Sequence, residues 1–218
     1  MTQSPPLPMK TVPDLSTLKA AFPSVRTLLF DMDGTLFDTE IYHTKALQNI
    51  GSEQKIIPPF GPKEVHELMM GKADHLLFDL IKDWPGFPKH WDVKTFVGEK
   101  NRQLLSLLSK VDGSTYFSPL LKQLLQEATL DGMQIGLVTS SEKVITLELL
   151  KLAGLSGFFT YILTRDDTEI VKPDPWPYLT AMKHFGSRPD NTLVFEDSKV
   201  GMKAAQDAGA HLIKAEWY

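Results

Sequence analysis

Short apolar runs alternate with longer amphipathic stretches along most of this chain. From Arg26 onward, five runs read as strands, at residues 27–31, 134–139, 161–163, 192–196 and 211–214. Each is too short for a helix and is bounded by turn-forming residues. The stretches between them carry helical spacing with recognisable ends. Ser118-Pro119 opens one whose Leu120, Leu121, Leu124, Leu125 and Ala128 share a face. Another runs from Ser141 to a glycine stop at Gly154, a third from Asp174-Pro175 to Phe185, and Ser198 caps the last, "KVGMKAAQDAG", whose small residues permit close packing. This alternation predicts a parallel sheet covered by helices, an α/β fold.

Between the first strand and the Ser118 helix lie about eighty residues without a strand pattern, far more than a strand-to-helix turn takes. Helices are expected there near residues 39–50, 63–70, 73–82 and 92–110, separated by the breakers "IIPPFGP" and "WPGFP". The expected organisation is an N-terminal arm (1–25), an α/β core (26–38 and 113–218) and an inserted all-helical cap (39–112). An insertion at that point stands over the carboxyl end of the first strand, where open α/β sheets bind ligands. Trp84, Phe87 and Trp91 read as cap core or rim. The arm, with Pro5, Pro6, Pro8 and Pro13, reads as an extended lead without function, ahead of a short helix capped by Asp14 or Ser16.

Composition narrows the chemistry. Lys and Arg number 23 against 27 Asp and Glu, so no overall basic field recommends nucleic acid or an anionic membrane as partner, and any anion must be held locally. The absence of cysteine excludes disulfides, cysteine nucleophiles and thiolate metal sites and leaves metal binding to carboxylates and His, of which the oxygen ligands point toward Mg²⁺. Neither a membrane-spanning run nor the apolar centre of a secretory signal is present, and a cytoplasmic monomer is the expectation.

Four strand ends carry reactive side chains. "LLFDMDGTLFDTE" places Asp31 at the end of the first strand and Asp33 two residues on, followed by Gly34, whose backbone N–H groups can face an anion. Asp31 there can be a nucleophile, a metal ligand or both, and Asp33 is suited to giving and taking a proton; an Asx turn is the simpler use of such a pair. "IGLVTSS" ends in Thr139, Ser140 and Ser141 at a helix N-terminus, a phosphate seat. "EIVKPDP" sets Lys172 before a helix start, and "TLVFEDSKVG" ends in the acidic pair Glu196-Asp197. Packing does not require an acid, a hydroxyl, a lysine and another acid pair at successive strand ends. Asp31 and Asp197 would supply carboxylate oxygens for Mg²⁺, with the main-chain carbonyl of Asp33, while Thr139 and Lys172 hold phosphoryl oxygens. That combination answers to phosphoryl transfer through an aspartyl-phosphate.

In order, "DMDGTLFDTE", "VTSS", the lysine of "VKPDP" and "VFEDSKVGMKAAQDAGA" resemble the four motifs of the haloacid dehalogenase-like hydrolases, in the subgroup of β-phosphoglucomutase and phosphoglycolate phosphatase. The resemblance covers residues 26–214. It implies a Rossmann-like sheet of strand order 5-4-1-2-3 with a helical cap after the first strand. It also implies Asp31 as nucleophile, Asp33 as general acid/base, Thr139 and Lys172 as phosphate ligands, and Asp197, helped by Glu196, completing a Mg²⁺ site. The substrate expected is a small phosphorylated metabolite. Halide-removing members lack an acid at position 33 and need no Mg²⁺, so the aspartate here argues against them.

Substrate choice in such proteins comes largely from the cap, which points to His43, Lys72 and His75, with Ser141 at the rim of the core. Sugar-phosphate mutases of this type usually carry an arginine three residues after the glycine matched by Gly71, and this chain has Asp74. An acid there repels a second phosphate. Hydrolysis of a phosphomonoester is therefore the expected reaction, with a β-phosphoglucomutase-like phosphosugar mutase as the alternative.

Overall fold

A computed structural model of the chain describes residues 6–61, 63–65 and 74–218. The chain divides into two compact units, Met1–Asp38 with Gly113–Tyr218, and Thr39–Asp112. The strands are β1 (Leu7–Met9), β2 (Thr27–Phe30), β3 (Gln134–Val138), β4 (Tyr161–Leu163), β5 (Thr192–Glu196) and β6 (His211–Ala215). The helices are α1 (Leu15–Ala21), α2 (Glu40–Gln54), α3 (Asp74–Ile81), α4 (Val93–Leu108), α5 (Pro119–Leu130), α6 (Lys143–Leu152), α7 (Trp176–Phe185) and α8 (Lys199–Asp207). None is long and apolar enough to cross a membrane.

All six strands lie in the first unit and pair in parallel, in the order β1-β6-β5-β2-β3-β4. Strands β2 to β6 are the five expected from the sequence, and their order is the expected 5-4-1-2-3. The arm departs from expectation. Part of it pairs as β1 along β6, Leu7 opposite Ile213 and Met9 opposite Ala215. Pro8 is tolerated there because an edge strand can accommodate a residue without an N–H. Asp14 caps α1, accepting from the Thr17 N–H at 2.7 Å.

Helices cover the sheet through small and apolar side chains. On one face Leu29, Val138, Val194 and Leu212 pack with Tyr178, Ala181 and Met182 of α7 and Ala204 and Ala205 of α8. The alanines bring α8 close to β5 and β6, which is the use its small-residue sequence predicts. Elsewhere in the sheet the rings of Phe30 and Phe195 stack at 4.4 Å.

The second unit contains no strand among its described residues. Its core gathers Ile50 of α2, Leu77 and Ile81 of α3, Phe96 of α4, and Trp84 and Phe87 from the turn between α3 and α4. Of the helix expected near 63–70, residues 63–65 are helical; the remainder, with Lys72, lies outside the described residues. Lys100 of α4 is buried and paired with Asp74 at the start of α3. Breaking a buried pair strands the surviving charge, which costs about 3–5 kcal/mol. Asp74→Ala is therefore expected to lower the unfolding free energy by about that amount in urea titrations, and Asp74→Ala/Lys100→Met to recover most of it.

Candidate active site

The β2 strand is fully buried and ends by delivering Asp31, whose N–H donates to the Phe195 carbonyl at 3.0 Å. The chain then closes a turn in which Leu36 and Phe37 N–H both donate to the Met32 carbonyl, at 2.8 and 2.9 Å, and Gly34 N–H to that of Phe37 at 2.7 Å. Gly34 has φ of +79°, and a Cβ there would overlap the Asp197 carboxylate, so conformation and space both call for glycine.

Parallel register sets the rest. Phe30 lies opposite Phe195 on one side and Leu137 on the other, so one step further Asp31 stands level with Glu196 and Val138. Lys172, from the loop before α7, meets all three. Its Nζ donates to Asp31 Oδ1 at 2.6 Å, Glu196 Oε1 at 2.7 Å and the Val138 carbonyl at 2.9 Å. An ammonium has three hydrogens, and each has an acceptor here.

Glu196 is equally engaged. Beside Lys172, the Tyr178 hydroxyl donates to Oε1 at 2.9 Å, while the N–H and hydroxyl of Ser198 donate to Oε2 at 3.2 and 3.0 Å. A carboxylate offers about four acceptor sites, so Glu196 is an anchor for Lys172 and the α8 start. A Cβ at Gly201 would overlap its carboxylate, which explains the glycine in the first turn of α8. Asp197 Oδ1 accepts from the buried Thr35 hydroxyl at 3.1 Å.

The hydroxyl run after β3 faces the same turn. Ser141 donates its hydroxyl to Asp33 Oδ2 at 2.6 Å and its N–H to Thr139 Oγ1 at 3.0 Å. Ser141, expected at the substrate rim, thus holds the second aspartate. Thr139 is buried and Ser140 exposed. His43 lies on α2 and His75, exposed, on α3, both in the second unit.

Three carboxylates, Asp31, Glu196 and Asp197, place oxygens within 4.8 Å of one another. Burial, reinforced by Glu196, pushes the Asp31 carboxyl well above the usual carboxylate range, although Lys172 opposes the shift. Burial and Glu196 likewise raise Asp197 to about 6. Burial works against the charge on Lys172, yet Asp31 and Glu196 hold its pKa well above the ordinary value. One cation among three acids leaves negative charge uncompensated, and an all-oxygen donor set fits Mg²⁺. All three could hold such an ion, and Glu196 among them is also the acceptor of four donors.

Sequence reasoning missed Tyr178 and Thr35. Tyr178 occupies an apolar position of α7 and Thr35 sits in a turn, and only the assembled sheet shows which carboxylates their hydroxyls meet.

The sequence profile of the haloacid dehalogenase-like hydrolases matches residues 28–215. YhcW of Bacillus subtilis (strain 168), provisionally named a phosphatase, is 34% identical over 191 residues, which span 85% of this chain and 80% of YhcW. The phosphorylated carbohydrates phosphatase of Thermotoga maritima is 26% identical over 190 residues, 87% of this chain and 84% of its own. In fold, the chain resembles CbbY of Rhodobacter sphaeroides, crystallised with phosphate, at a TM-score of 0.74 and 22% identity, covering 85% of this chain and 84% of that one. With the motif turn, the parallel sheet and a profile match along nearly its whole length, this chain belongs to the haloacid dehalogenase-like hydrolase family.

Proposed function

We propose that this protein is a Mg²⁺-dependent phosphatase that hydrolyses a small phosphorylated metabolite through an aspartyl-phosphate on Asp31. The observation that carries this reading is the pair of carboxylates on one turn held in different ways, Asp31 by the Lys172 ammonium and Asp33 by the Ser141 hydroxyl. The first stays aimed as a nucleophile, and the second can exchange a proton.

In this reading an oxygen of Asp31 attacks phosphorus and the bond to the ester oxygen breaks, with Asp33 protonating the departing alcohol. Asp33, now ionised, takes a proton from water, whose oxygen attacks the phosphorus of the aspartyl-phosphate. The bond to Asp31 breaks and inorganic phosphate leaves. Gly34, Thr139 and Ser140 supply donors to the phosphoryl oxygens, and Lys172 would turn the hydrogen it gives Asp31 toward them as Asp31 bonds to phosphorus. Mg²⁺, held by Asp31, Asp197 and the carbonyl of Asp33, would neutralise charge on the phosphoryl group. The names of the Bacillus and Thermotoga relatives support a phosphatase, and the latter supports phosphorylated sugars as candidate substrates. A mutase needs a cation for a second phosphate, whereas Asp74 is an acid whose partner Lys100 it neutralises. Phosphate release is therefore expected to exceed isomerisation. The second unit, as a cap carrying His43, Lys72 and His75, would select the substrate.

Asp31→Asn is expected to show no turnover in a phosphate-release assay with Mg²⁺ while keeping the wild-type circular dichroism spectrum; residual steady-state hydrolysis would refute the covalent route. Asp33→Asn is expected to lose about 10²–10⁴-fold in kcat, more for an alkyl phosphate than for p-nitrophenyl phosphate, whose leaving group needs no proton. Equal losses would remove Asp33 as the acid. For the metal, Mg²⁺ at about a hundred times its Kd should stabilise the protein by about 2.7 kcal/mol. A rise in Tm by calorimetry that Asp197→Asn abolishes is the expected result, and an unchanged shift in that variant would place the metal elsewhere.

A further inference from the structure

The turn that carries Asp33 is gripped from behind by two side chains that no motif includes. Beyond β6, Trp217 donates its indole Nε1–H to the Thr35 carbonyl at 2.8 Å, and Tyr218 donates its hydroxyl to the Leu36 carbonyl at 2.9 Å. Both carbonyls belong to residues without exposed surface. The Trp217 ring lies 6.3 Å from Phe195, which stacks on Phe30, so its indole is referenced to the two strands that end in Asp31 and Glu196. The Tyr218 hydroxyl also accepts from the Ser118 N–H at 3.1 Å. It therefore joins the chain just before it leaves the first unit, after Asp38, to the chain just after it returns, at Gly113. A neighbouring backbone bond, Asp38 N–H to the Tyr116 carbonyl at 2.8 Å, ties the same two segments.

These bonds act on the reactive groups through a rigid path. A peptide unit is planar, so holding the carbonyls of Thr35 and Leu36 fixes the planes that begin at those residues. The held turn closes on Asp33 through its bridge to Phe37, and Thr35 carries the hydroxyl that meets Asp197.

We propose that Trp217 and Tyr218 are positioning residues for the hydrolysis described above: by gripping two successive carbonyls of the motif turn, they hold Asp33 in register with Asp31. The proposal rests on the phosphatase reading for its catalytic consequence, but the grip itself can be measured without activity. A misplacement of about 1 Å at a reacting group can cost 10²-fold in rate, and the group displaced here is the one that protonates the leaving alcohol.

The test uses Trp217→Phe and Tyr218→Phe, which each leave an aromatic ring in place and remove the donor. Each is assayed with Mg²⁺ on an alkyl phosphate and on p-nitrophenyl phosphate, well below its own Tm. The expected result is a fall in kcat of about tenfold or more on the alkyl ester and less than about threefold on the nitrophenyl ester, with KM unchanged on both. Amide hydrogen exchange on the same proteins should show lost protection at Leu36 and Phe37, whose N–H groups are bonded within the turn, and unchanged protection in β5. Equal loss on both esters, or a lower Tm with no change in kcat, would make the two residues structural supports only and overturn the positioning role. Unchanged protection of the turn in both variants would overturn the grip itself. Wild-type protein that releases no phosphate from either ester would instead sink the phosphatase reading, and the exchange data alone would then decide whether the grip exists.

Discussion

Lys172 carries a buried positive charge between two carboxylates that arrive from different strands, and the site is built around that charge. Desolvating an ammonium is costly unless geometry and hydrogen bonding are both good. Here both conditions are met, since Asp31, Glu196 and the Val138 carbonyl take its three hydrogens. The arrangement is possible only because β2, β3 and β5 are adjacent, parallel and in register, so that residues 31, 138 and 196 end at one level. Any slip of one residue would turn one carboxylate to the other face of the sheet. Packing of the sheet and placement of the charge are therefore one constraint.

The consequences spread outward from Glu196. Because Lys172, Tyr178 and Ser198 fill its acceptor sites, it joins the Lys172 loop, α7 and the start of α8 in one network. Gly201 is required by the space this carboxylate occupies, and Gly34 by the space Asp197 occupies. The glycines of the first and fourth motifs thus serve the same purpose as the acids: they admit carboxylates against backbone. Three carboxylates there face one ammonium, an excess of acid that a divalent cation could offset.

In the second unit the pair of buried Lys100 with half-buried Asp74 has a different consequence. It ties α3 to α4. The acid is partnered within its own unit, so it is a structural feature of this helical insertion.

Much of this was legible in the chain itself. Apolar runs of four to six residues ending in Asp, Thr and Glu-Asp identified the central strands, because a parallel strand buried on both faces has little room for polar residues until its end, as Thr27–Phe30 and Thr192–Glu196 show. The helical insertion was legible from its breakers, and the carboxylates Asp31 and Asp197 from their place just past strand ends, whereas Lys172 comes from the loop before α7. The β1 pairing was not, since three residues around Pro8 carry no strand periodicity and acquire their conformation only from the open edge of β6. Nor were the directions of the hydrogen bonds. Ser141 holds Asp33, Glu196 holds Lys172 while also standing in the acidic cluster, and Trp217 and Tyr218 carry no signal beyond their size. Residue types and strand ends are local properties, so the sequence alone determined which groups reach the carboxyl edge of the sheet. Which of them touch depends on register between strands that are far apart in the chain, and that was decided by the tertiary structure.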